Sequence, residues 1–149
     1  MKRSVKSMVG ATLLEVMLVL AIAAMIIVMS VRYYQTANAA EEANTALEQI
    51  QAIVSAADSL AQPFGSYSGA GVATTTVAAV LPASAMTTPW GGSITLGSVS
   101  PNQYTMSITS VPANICNLIV AKLTANNHFT SMTACSGTTN FSVTYQAAV

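Results

Sequence analysis

The sequence predicts an α+β fold: a long N-terminal α-helix packed, along its second half, on a small antiparallel β-sheet. Three observations predict it. No Pro or Gly interrupts the chain from Ala11 to Gln62. The first part of that run is apolar on every side, and the second is apolar on one stripe. After it, short β-type runs alternate with Gly, Pro, Ser and Asn turns through residues 62–149. The chain thus divides into residues 1–10, 11–61 and 62–149.

Residues 1–10 hold Lys2, Arg3 and Lys6, three of the five basic residues in the chain, and end at Gly10. Residues 11–31, ATLLEVMLVLAIAAMIIVMSV, carry one charge, Glu15. At 1.5 Å per residue this stretch spans about 32 Å, enough for the hydrocarbon core of a bilayer. The basic residues before it place the amino end on the cytoplasmic side.

The helix continues through YYQTANAAEEANTALEQIQAIVSAADSLA. Ala40, Ala43, Leu47, Ile50, Val54, Ala57 and Ala61 form one stripe at alternating spacings of three and four, widened by Ala46, Ile53 and Leu60. A helix over residues 12–61 is about 75 Å long and needs partners along its length. Pro63, Gly65, Gly69 and Gly71 end it.

In residues 62–149 the pattern predicts a short helix at Thr76–Leu81 and strands at Ser93–Leu96, Tyr104–Ser110 and Asn140–Tyr145. A helix is predicted at Pro112–Leu123, with Pro at its start.

Composition excludes several functions. Charged residues are 7 % of the chain, against about a quarter in ordinary soluble domains. No carboxylate follows Asp58, and Lys122 is the one basic residue after Arg32. The C-terminal region therefore lacks a carboxylate pair for hydrolysis, acids for calcium, and cations to neutralise a nucleic-acid backbone. No Ser-His-acid set is possible there. His128, the single histidine, has no nearby second metal-ligand type except Cys135. Catalytic residues, metals, cofactors and nucleic-acid partners are not expected. Trp90 reads as a structural anchor and Gly91-Gly92 as a turn.

Glu15 is the residue that demands explanation. An ionised acid in a bilayer costs several kcal/mol unless it is paired. A cut after Gly10 would give Ala11 a free ammonium group and leave two basic and five acidic side chains, a net of −3. A neighbouring chain shifted along the axis could then set its Ala11 ammonium against this Glu15, and the pair would define the stagger between subunits. Cys116 and Cys135 are the only cysteines. An even count in an exported chain favours a disulfide between them, the alternative being two free buried thiols.

A basic leader, Gly10, and Glu15 five residues later in an apolar helix resemble the signature of the type IV pilin family. The resemblance implies the type IV pilin fold and a prepilin whose residues 1–10 are a leader peptide. It implies cleavage between Gly10 and Ala11 by a prepilin peptidase and N-methylation of Ala11. Residues 11–31 would be the transmembrane segment of an inner-membrane subunit pool and then the core of an extracellular filament. An assembly ATPase, a platform protein and minor pilins are the implied partners, and the product is a helical homopolymer used for adhesion, aggregation or conjugative mating. Residues 62–149 would be the globular head.

The head resembles the type IVb pilins, especially the thin-pilus and enteric PilS-like group. Thr88-Pro89-Trp90-Gly91-Gly92 before a strand, Val111-Pro112 before a helix containing Cys116, and Cys135 downstream carry that likeness. Ala11 departs from the family's larger first residue. Arg32 stands where type IVa pilins have a helix-kinking Pro, which favours type IVb.

Other readings stay open from sequence. Ala21-Ile22-Ala23 could be a secretory cut site, but the apolar run continues past it. A plain membrane anchor leaves Gly10 and Glu15 unexplained. A minor pilin or secretion pseudopilin would share the N-terminal helix. A membrane-anchored enzyme or binding protein would need a reactive cluster in the head.

Overall fold

The computed structural model describes residues 12–147, and the backbone of the first helix from Lys6. Residues 1–5 and the last two residues lie outside that range. Helix α1 spans Lys6–Ala61 without a break. The chain forms two compact units, one ending at Asn38 and one covering Ala39–Val149.

In the second unit, α1 lies on a four-stranded antiparallel sheet. The strands are β1 (Ile94–Gly97), β2 (Gln103–Val111), β3 (Phe129–Thr130) and β4 (Thr139–Gln146), in the order β1-β2-β4-β3. Helix α2 (Thr74–Val80) and a 3-10 turn at Ala83–Met86 precede the sheet, and α3 (Ala113–Leu123) joins β2 to β3. This is the predicted α+β architecture. The predicted strands and helices match within a few residues at their ends. The two-residue β3 and the 3-10 turn were not foreseen.

Strand alternation decides which side of the sheet meets the helix. Tyr104, Met106 and Ile108 of β2, and Phe141, Val143 and Tyr145 of β4, are buried on one face. Between them on the other face stand Thr105, Ser107, Ser142 and Thr144, with Thr105 paired to Thr144 in register.

The buried line of α1 is Ala39, Ala43, Ala46, Ile50, Ile53 and Ala57. This corrects the predicted stripe. Ala46 and Ile53 lie at its centre, Leu47 and Val54 are half-buried at its flank, and Ala40 is exposed. The pattern has a packing cause. Bulky Tyr and Phe rings rise from the sheet, so the line closest to them is mostly Ala, while Leu and Val fill the edges.

The predicted TPWGG turn fastens β1 to the end of β2. Thr88 N–H donates to the Gly92 carbonyl at 2.9 Å, and Trp90 Nε1–H donates to the Thr109 carbonyl at 3.2 Å. Gly91 has φ 82°, which favours glycine. A Cβ on Gly92 would stand 2.2 Å from the Thr109 carbonyl oxygen, so no side chain fits there. The pairing of β2 with β4 is irregular between Ile108 and Val111, where Ser110 takes φ 56°. Pro112 then caps α3, and its carbonyl accepts from Cys116 N–H at 2.9 Å.

Candidate functional site

The N-terminal unit presents an exposed apolar helix surface among the described residues. Every large apolar side chain from Leu13 to Val31 is at least 50 % exposed. With a mean hydropathy of 2.7 over its most apolar window, this helix is long and apolar enough to cross a membrane. Each large side chain left bare forgoes about 1.5–3 kcal/mol. Ser30 Oγ–H donates to the Ile26 carbonyl at 2.8 Å, leaving no unmade bond in an apolar medium. Tyr33 and Tyr34 follow, 79 % and 69 % exposed.

Glu15 is exposed on this surface and is the sole Asp, Glu, Lys or Arg from Thr12 to Val31. Of the other two residues of the expected processing and assembly set, Gly10 and Ala11, only the helical backbone is described.

In the head, Cys116 and Cys135 form a disulfide, with their Cα atoms 5.8 Å apart. Cys116 is fully buried on the inner face of α3 with Ile115, Ile119 and Leu123. Cys135 lies in the segment between β3 and β4, so the bridge ties that segment to the helix.

Sequence reasoning missed a second cluster. Asp58, half-buried near the end of α1, accepts from Tyr67 Oη–H at 2.5 Å and from Tyr145 Oη–H at 3.3 Å. Tyr104 packs against both rings, with centroids 5.0 Å from Tyr67 and 5.4 Å from Tyr145. Burial, reinforced by the Asp58 carboxylate, pushes the Tyr67, Tyr104 and Tyr145 hydroxyls above the usual tyrosine range. All three thus stay protonated, and Tyr67 and Tyr145 serve as donors to one acid. The signal available in sequence was the inward position of Tyr104 and Tyr145 on their strands and Asp58 directly beside the apolar stripe. Neither says that these residues meet.

His128 packs beside Tyr145, and its Nδ1 lies 2.9 Å from the Gln146 carbonyl oxygen. Among the described residues, no group of three or more His, Cys, Asp or Glu side chains could hold a metal. Trp90 is half-buried and committed to the Thr109 carbonyl.

Residues 40–148 match the family model described as PilS N terminal. The match runs from the buried face of α1 through β4 and so covers most of the chain. No curated protein and no solved structure matches the chain.

Proposed function

Because the chain belongs to the PilS N terminal family, a family of type IV pilin-like subunits, we propose that it is the repeating structural subunit of a type IVb pilus. The exposed apolar surface from Leu13 to Val31, carrying a single carboxylate, is the observation that supports this reading most. In the inner membrane that surface is covered by lipid. In a filament it is covered by the same surface of other subunits, exchanging lipid contacts for protein contacts.

Under this proposal a prepilin peptidase cuts between Gly10 and Ala11, and Ala11 is methylated. The Ala11 ammonium of one subunit then neutralises Glu15 of the next. The pairing removes two charges from a low-dielectric core and sets the axial step. An assembly ATPase, a platform protein and minor pilins extrude the fibre, and the nearly uncharged heads form its outside. Adhesion, aggregation or conjugative mating are the uses this structure serves.

The test is N-terminal sequencing and intact mass of filaments sheared from producing cells. The expected subunit begins at Ala11, is heavier by one methyl group and lacks two thiol hydrogens. Recovery of the chain only in membranes, as a monomer with its first ten residues attached, overturns the proposal.

A further inference from the structure

We propose that the groove beside the end of α1 is a binding site for a neutral saccharide. The groove has two lobes, of about 430 Å³ and about 640 Å³. Both are walled by Asp58, Gln62, His128 and Tyr145, so they form one continuous depression. Its size is that of a small-ligand site. It lies wholly within the unit Ala39–Val149, and the inference therefore goes beyond the filament reading and holds for a single subunit.

The chemistry of the walls selects the ligand. Asp58 is held in place by the Tyr67 and Tyr145 hydroxyls, yet each carboxylate oxygen keeps a lone pair for a further donor. A carbonyl can only accept, so His128 Nδ1–H donates to the Gln146 carbonyl, and Nε2 is the ring nitrogen without a hydrogen bond among the described residues. Gln51, Ser55, Gln62 and Asn102 line the lobes, and their side chains make no hydrogen bond among the described residues. Their amides set a donor and an acceptor side by side, which is the spacing of neighbouring sugar hydroxyls. The His128, Tyr145 and Phe129 rings, tilted or edge-on to one another with centroids 5.9 Å and 5.4 Å apart, line the first lobe and add an apolar flank for the C–H groups of a pyranose.

Other ligand classes fit less well. No Lys or Arg lines either lobe, and Asp58 repels anions, which disfavours phosphates, sulfates and acidic sugars. An aliphatic ligand would leave the amides unpaired. A peptide added as a strand needs a sheet edge, and the edge at this end, β3, has two residues.

The experiment is saturation-transfer difference NMR on the full-length protein in a sugar-free detergent. The probes are glucose, galactose, mannose, N-acetylglucosamine, lactose, N-acetylneuraminic acid and a neutral Ser/Thr peptide. At least one neutral sugar is expected to receive saturation and N-acetylneuraminic acid none. Gln51→Ala and Gln62→Ala change exposed side chains and spare the fold, and each should weaken binding about tenfold. Ser107→Ala, on the opposite face of the sheet, should leave it unchanged. The proposal is overturned if no neutral sugar is saturated, if both glutamine variants bind like the parent, or if the acidic sugar or the peptide is preferred.

Discussion

The Tyr67 hydroxyl donates to Asp58 Oδ1 at 2.5 Å, fastening the loop that leaves α1 back onto the last turn of that helix. Tyr145 donates to the other oxygen from β4, 87 residues further along the chain. The final carboxylate in the sequence is thus the joint between helix, loop and sheet. A hydrogen bond to a charged group contributes about 1.5–3 kcal/mol. Tyr67→Phe should lower head stability by about 1–2 kcal/mol. Asp58→Ala, which strands two hydroxyls, should cost about 3 kcal/mol. Chemical denaturation of the detergent-solubilised subunit measures both, and the order of the two effects is the point at risk.

The same cluster gives stability a pH dependence. The three tyrosines titrate higher in the folded state than in the unfolded chain. A raised pKa stabilises the fold fully below the unfolded value of about 10, and that stabilisation is lost as pH rises above it, because the unfolded chain then releases protons that the fold retains. Melting temperature should therefore stay flat for this cluster between pH 7 and 9 and fall steeply above about pH 10. Circular dichroism melts across that range check the slope, and Tyr67→Phe should make it shallower.

The Cys116–Cys135 bridge closes a loop with a sequence separation of 19. Constraining a loop of that size in the unfolded chain is worth about 3 kcal/mol. Cys116→Ser should lower the melting point of the head and reduce the amount of subunit recovered from cells. A subunit with normal level and normal melting point would refute the assigned weight of the bridge.

Two substitutions separate processing from assembly. Glu15→Ala should be cut normally but yield few or no surface filaments, read as mature-size protein that stays in the membrane fraction after shearing. Gly10→Val should accumulate as full-length precursor. Wild-type fibre yield from Glu15→Ala would remove the charge-pairing account, and an unchanged mature mass for Gly10→Val would move the cut site.

Elements backed by local chemistry were legible in the sequence. Pro112 marked the start of α3, Pro63 and Gly65 the end of α1, and the alternation from Tyr104 to Ile108 the orientation of β2. The 3-10 turn at Ala83–Met86 and the two residues of β3 carry too little pattern to announce themselves. The buried line of α1 was displaced in the reading because Leu47 and Val54 weigh more on a hydrophobicity scale than Ala46, although Ala46 is fully buried and Leu47 and Val54 only partly. The Asp58 cluster was invisible for a different reason: the register of β2 on β4 sets Tyr104 opposite Tyr145, and Tyr145 reaches Asp58 across 87 residues of chain, long-range facts that no local window contains. Glu15 was conspicuous because its surroundings are apolar at every neighbouring position.

The bridge between α3 and the segment ahead of β4 also governs what becomes of a nicked chain. A protease that hydrolyses any bond between Cys116 and Cys135 opens a ring without freeing a fragment. The downstream piece stays tethered and keeps β4 in its ladder beside β2. Damage in that stretch is then a scar that leaves the ring's two ends joined.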